Sequence, residues 1–214
     1  MKWVVIGAHL QRDDVGPVAE ALPVSGLFLS AVAIADDRPL ADRDLIVQIA
    51  GARAKLLDRA TFVAIRYGFA VRDAGEAETK CAAFAPRWRE LLVAHRDEVE
   101  MTLKIAAATP AARPDRRDFS SGADYLRALH DSARATDIDP KFREAVERTV
   151  VPLATQHRWT NRDRSSVELS MLVRRSNLEK MRNAGEDLRR TFAKVPFLMS
   201  GPWPLEVFAD DHQQ

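Results

Sequence analysis

Cysteine is all but missing from this chain of 214 residues. Cys81 stands alone, so neither an internal disulfide nor a multi-thiolate metal site can form. Glycine is scarce at 9 residues, and neither GxGxxG nor GxxxxGK[ST] occurs. The loop that lets backbone amides approach a pyrophosphate is therefore absent, and no cofactor is expected. An excess of either charge is lacking too: 32 Lys and Arg face 31 Asp and Glu for a net +1. No global field recruits nucleic acid or a lipid membrane. The longest apolar run, Leu27 to Ala35, stops at Asp36 and Asp37, well short of the ~18–20 residues of a membrane span. What remains is a globular composition, 46% hydrophobic and 29% charged. One lysine precedes the apolar run that opens at Trp3, the wrong start for an export signal. The expectation is a structural N-terminus and a cytoplasmic protein.

The usual catalytic patterns are missing as well. His9, His95, His130, His157 and His212 lie far apart and form no HExxH pair, so no metal site is assigned. Ser120-Ser121-Gly122 lacks the GxSxG elbow. The pairs Asp36-Asp37 and Asp210-Asp211 point to opposite faces in a strand and are solvated in a loop, so they carry no catalysis. Arg113, Arg116 and Arg117, and Arg158, Arg162 and Arg164 near Trp159, make the best case for nucleic acid, since guanidinium pairs with phosphate and an indole stacks on bases. Asp115, Asp118 and Asp163 interrupt both clusters, which favours a solvated surface.

The apolar pattern defines the elements that are present. Trp3–Ala8, Leu27–Ala35 and Thr61–Phe69 read as strands covered on both faces. Leu45, Ile46, Ile49, Leu56 and Leu57 form a helical stripe. After a polar stretch, Arg72–Lys80, the segment Cys81–His95 splits into two helical pieces around Ala85, with Pro86 in the first turn of the second. Val99–Ile105 alternates as a strand with one wet or edge-like face, closing the first half. Ala106–Asp118, broken by Pro110 and Pro114, reads as a linker. Beyond it, Ser121 and Asp124 resemble a capping box ahead of a buried stripe of Tyr125, Leu126 and Leu129. Asp139-Pro140 opens another helix. Val167–Val173 reads as a half-buried strand, followed by a helix capped by Ser176 and Glu179, with Leu178, Met181, Leu188 and Phe192 inward. Val195, Phe197 and Met199 form the next strand.

Strand, helix and strand with short links make a βαβ unit with the two strands parallel. The fold class is therefore α+β in two lobes. An N-terminal mixed sheet with helices occupies 1–108, a linker 109–120, and a ferredoxin-like lobe containing the βαβ unit 121–214.

Three segments carry a more specific signal. Phe62–Gly68 is an apolar strand that ends in Arg66-Tyr67-Gly68, Ser121–Leu126 opens a helix with Tyr125, and Ser200–Phe208 contains Gly201-Pro202-Trp203-Pro204. In this order they resemble the gas vesicle protein GvpL/GvpF family. Its members carry a strand like Leu-Pro-Val-Arg-Phe-Gly, a Gly-x-x-Tyr-Leu helix start and a terminal Thr-Gly-Pro-Trp-Pro-Pro-Tyr-x-Phe. Glu98–Ile105 and the Leu172-Val173 strand with its following helix match in the same way. Leu205-Glu206 stands where the family has Pro-Tyr, and Ala64 where it tends to have proline.

The resemblance implies a non-enzymatic accessory protein of gas vesicle formation. Such a protein binds the small hydrophobic shell protein GvpA or other accessory proteins during nucleation, in the cytoplasm and in association with the vesicle. The candidate partner-binding or interlobe residues are Arg66, Tyr67, Gly68, Tyr125, Gly201, Pro202, Trp203 and Pro204. Physically, Gly-Pro-Trp-Pro is a stiff corner, and Trp203 either plugs the seam between lobes or anchors a partner. Arg66 calls for a carboxylate or water, in a structural ion pair or at a binding site. Two rival readings stand beside this one: an RNA-binding or regulatory ferredoxin-like module, which needs exposed aromatics on neighbouring strands, and a small-molecule enzyme with an interlobe site.

Overall fold

The computed structural model describes residues 1–12, 19–107, 114–134, 138–163 and 165–206. Pro110, Arg113, Arg164, Val207, Phe208, Asp210-Asp211 and His212 lie outside the described residues. The chain divides into two units, Met1–Val99 with the stretch from Trp203 onward, and Glu100–Pro202. These limits differ from the expected 1–108 and 121–214. The strand after Glu98 is built into the second sheet instead of closing the first half, and the tail belongs with the N-terminal residues.

The first unit runs β1 (Lys2–His9), β2 (Glu20–Val24), β3 (Leu27–Ile34), α1 (Arg43–Arg59), β4 (Val63–Ala64), β5 (Ala70–Val71), α2 (Ala74–Cys81) and α3 (Ala85–Ala94). Its sheet has the order β2-β3-β1-β4, with β5 also paired to β1. These pairs are antiparallel. The mixed character expected of the sheet comes down, among the described residues, to one isolated parallel bridge, Val63 to Leu205. β1 is central because Val4, Val5, Ile6 and Ala8 are all buried, as an apolar run on both faces requires.

Strand β2 is not apparent from periodicity. It joins β3 through Ser25-Gly26, whose φ values of 44° and 76° make the two-residue turn that matches strand twist. Helix α1 is capped by Asp42, which accepts from the Leu45 amide, and it buries Leu45, Ile49, Ala52, Leu56 and Leu57. Ile46, placed on the stripe by spacing, is instead 45% exposed at its margin. The polar stretch before Cys81 is itself helical, because Asp73 caps α2 by accepting from the Glu76 amide. Pro86 lies in the first turn of α3, as its missing donor dictates.

The second unit is built on β6 (Glu98–Ala106), α4 (Gly122–Arg134), α5 (Pro140–Thr149), β7 (Ala154–Asp163), β8 (Ser166–Arg174), α6 (Leu178–Thr191) and β9 (Phe197–Trp203). The sheet order is β7-β8-β6-β9. The C-terminal end of β6 meets the start of both neighbours: Ala107 N donates to Ser165 O (2.8 Å) and Ala106 N to Pro196 O (3.0 Å). β6 therefore runs opposite to β8 and β9, and those two are parallel to one another with β6 between them. This is the βαββαβ arrangement of a ferredoxin-like sheet, with α6 as the second crossover. β6 is thus an interior strand, not an edge, and even Glu98 and Glu100 on it are buried.

Burial departs from the sequence pattern in three places. β8 is buried along nearly its whole length instead of on one face, since it is flanked on both edges and covered. Leu126 on α4 is 65% exposed, while Tyr125 and Leu129 are half-buried. Ser176 makes no cap: α6 starts from Asn177 without a side-chain hydrogen bond, after a short 3-10 turn over Arg175–Asn177. Two helix starts follow the sequence closely. Ser121 Oγ accepts from the Asp124 amide (3.1 Å) and donates to its carboxylate (2.6 Å), and Asp139 accepts from the Lys141 and Phe142 amides. The core gathers on Phe142, Leu103, Ile105, Leu169, Met171 and Met181.

Candidate functional site

The expected strand Thr61–Phe69 is broken in two by the very residues that single it out. β4 pairs with the C-terminal half of β1 and β5 with its N-terminal half. Between them Ile65 N donates to Ile6 O (3.1 Å), Phe69 O accepts from Val5 N (2.9 Å), and Arg66-Tyr67-Gly68 turns outward. Gly68 sits at φ 94°, where a side chain is disfavoured, and the turn closes through Phe69 N on Arg66 O (3.3 Å). The motif therefore projects two side chains from the end of a short strand. Tyr67 is oriented by its hydroxyl, which donates to Leu40 O (2.5 Å). Arg66 is exposed and makes no ion pair among the described residues, so the structural carboxylate expected there is not found among them.

The tail reaches the same place. Leu205 is buried, its amide donates to Phe62 O (3.0 Å), and its carbonyl accepts from Ala64 N (3.3 Å). A two-residue strand such as β4 has few partners of its own, and the parallel bridge to Leu205 supplies one on its free edge. Leu205-Glu206 thus belongs to the scaffold directly after Gly201–Pro204. Upstream, Gly201 has φ 119° and joins Pro202 through a cis bond. A Cβ at Gly201 would fall 2.7 Å from Met101 Sδ and 2.9 Å from Glu100 O. Gly201→Ala is therefore expected to lower stability by about 2 kcal/mol through combined dihedral and steric strain. A urea midpoint unchanged from the parent would refute the close approach.

Around the Arg66 turn lies a half-open cavity of about 540 Å³, lined by Arg53, residues 63–67, Phe84, Arg87, Trp88, Leu205 and Glu206. Phe84, Arg87 and Trp88 come from one side of the start of α3, at helical spacing. Phe84 is 52% exposed, and its ring stacks on Trp88 at 5.7 Å. Arg53 comes from α1, and its guanidinium donates to Ile65 O and, at 3.3 Å, to Ile6 O. Its Nε is buried without a hydrogen-bond partner among the described residues. Burial lowers the Arg53 pKa, while the nearby Glu206 carboxylate opposes that shift; arginine stays charged regardless. Among the described residues, three guanidinium groups against one carboxylate make the lining cationic, with aromatic faces beside the charges.

The sequence reading placed Arg66 and Tyr67 among the candidates, and both line this cavity. Gly68 shapes the turn instead. Tyr125 belongs to the second unit, where it packs on Phe119 (ring centroids 5.9 Å apart) with the Arg116 guanidinium 5.9 Å over its ring. Gly201 and Pro202 end the strand of that unit, and Trp203 and Pro204 lead to Leu205. Trp203 is 48% exposed and is not a buried plug. Arg53, Phe84, Arg87 and Trp88 escaped sequence reading. The only sign of the last three was the spacing 84, 87, 88 beside Pro86, and Arg53 gave none.

The indole required for nucleic-acid stacking is otherwise engaged. Trp159 lies on β7, donates to Glu147 Oε1 (2.8 Å) and has the Arg143 guanidinium 5.0 Å over its ring. Arg162 of the same cluster pairs with Glu168 at 2.5 Å. Among the described residues no group of three or more His, Cys, Asp or Glu side chains is placed to hold a metal. Nor is any helix there long and apolar enough to cross a membrane.

An α+β fold with a ferredoxin-like second sheet and a cationic, aromatic cavity in the first unit defines the class. The family model described as gas vesicle synthesis protein GvpL/GvpF matches residues 24–209, and the chain belongs to that family. The fold agrees with two solved structures. The crystal structure of GvpF from Anabaena sp. PCC7120 matches with TM-score 0.64 at 12% identity, over 97% of this chain and 98% of that one. GvpF from Microcystis aeruginosa matches with TM-score 0.67 at 11% identity, again over 97% and 98%. No curated relative matches the sequence.

Proposed function

We propose that this gas vesicle protein is an accessory factor of vesicle formation that holds the hydrophobic shell protein GvpA, or other assembly proteins, during nucleation, and that it does so by binding and without chemical turnover. The observation that carries the reading is the meeting of two segments far apart in sequence, the Arg66-Tyr67 turn and Leu205-Glu206 directly after Gly201–Pro204, on one accessible cavity. Exposed aromatic and arginine side chains on a firm scaffold are what protein interfaces use as anchors. The proposed docking residues are Arg66 and Tyr67, with Trp203 on the adjoining tail.

The test is retention of gas vesicle proteins by the tagged full chain from vesicle-forming cells, together with deletion and complementation. Leu205→Asp forces a carboxylate into a site that is 1% exposed and should unseat the tail. Retention is expected to fall at least tenfold, and vesicles should be lost in the deletion strain and restored only by the parent gene. Normal vesicles in the deletion strain, or a parent chain that retains no gas vesicle protein, would sink the reading.

A further inference from the structure

We propose that the cavity of the first unit grips an acidic segment of the partner polypeptide, with carboxylates against Arg53, Arg66 and Arg87 and an adjacent apolar side chain against Phe84 and Trp88. The inference rests on the reading that this protein binds other polypeptides and names the chemistry of what it binds.

Charge complementarity selects the occupant. Among the described residues, the charged groups that line the cavity are three guanidinium groups and the Glu206 carboxylate, in a chain whose overall charge is only +1. The positive charge is therefore local. Arg53 is anchored on two carbonyls, so its planar fork is already oriented and loses little freedom when an acceptor arrives. Arg66 is exposed at the turn, and among the described residues its guanidinium makes no hydrogen bond or ion pair. An exposed guanidinium of this kind can take a carboxylate in its planar fork.

The apolar half of the site is as specific. The stacked Phe84 and Trp88 rings form a flat surface beside the charges, and Phe84 is 52% exposed. An acid flanked by an aliphatic residue meets both halves at once, whereas a small inorganic anion leaves the rings wet. About 540 Å³ accommodates a few residues, within the ordinary range for ligand cavities.

The experiment measures fluorescence anisotropy of a dye-labelled hexapeptide, two glutamates flanking a leucine between neutral residues, against the full chain at low and high salt. A second peptide carries glutamines in place of the glutamates. The expected result is binding of the acidic peptide at least tenfold tighter than the amide peptide, weakened by salt. Arg66→Glu should weaken it tenfold or more, and Glu206→Gln should tighten it. Because the Arg66 side chain is exposed and makes no hydrogen bond or ion pair among the described residues, Arg66→Glu should leave the circular dichroism spectrum and the urea midpoint unchanged.

Equal affinity for the two peptides, no binding at low salt, or an Arg66→Glu protein that binds as the parent does would overturn the proposal. So would full displacement by an equal concentration of inorganic phosphate, which would mark a free-anion site. The assembly reading fails separately: it falls if the parent chain retains no gas vesicle protein, and it survives if Arg66→Glu keeps its partners while losing the peptide.

Discussion

Phe142→Ala is expected to lower the stability of the second unit by about 3–5 kcal/mol, the usual range for deleting a buried aromatic ring. The ring is fully buried at the start of α5 and meets Phe192 edge-on at 5.3 Å and Phe197 at 5.0 Å. Removing it empties the point where a crossover helix, the end of α6 and the start of β9 converge, so three elements lose one packing partner. The loss exceeds simple transfer because the neighbouring rings are held by separate elements and collapse into the hole only in part. Urea denaturation should show the midpoint shift, and amide exchange should show β6 and β8 losing protection while β1 and β3 keep theirs. A loss below about 1 kcal/mol would mean that the three rings do not form a common core.

Gly7→Ala should cost about 3 kcal/mol by the opposite mechanism, overpacking. A Cβ there would sit 2.3 Å from Phe62 Cδ2 and 2.8 Å from the Val63 carbonyl oxygen. The ring is fully buried and the carbonyl is backbone, so neither can swing aside. The strain falls on the junction of β1 with β4, the element that carries Arg66 and receives Leu205. Reduced retention of partner proteins is expected together with the lower urea midpoint. Phe62→Leu in the same chain should recover part of the loss, since residues in direct contact do not add independently. A double variant as unstable as the sum of the two single changes would show that the clash is not the cause.

Legibility in the sequence followed how local each cause was. Capping at Asp139 and Ser121, the start of α3 at Pro86, and the buried runs of β1 and β3 need only neighbours in the chain, and each forms where spacing places it. The ferredoxin-like arrangement was also readable, because strand, helix and strand with short links admits few connections. Strand β2 and the edge strand β7 have weak apolar alternation and exist because β3 and β8 offer them a ladder. The 62–68 segment misled in a different way. It is apolar enough for a full strand, but β1 accepts it in two short stretches with a turn between them.

The sequence alone determined the α+β class, the helix starts at Pro86, Ser121 and Asp139, the lack of nucleotide-loop motifs, and the motifs that carry the family resemblance. Each of these depends on residue type and spacing within one segment. Only the tertiary structure decided that β6 is interior, that Trp203 is half exposed, and that Leu205 docks on β4. Only it collected Arg53, Arg66 and Arg87 around one cavity. Those outcomes depend on which surfaces meet, and a meeting of residues more than a hundred positions apart leaves no periodicity in the chain to reveal it.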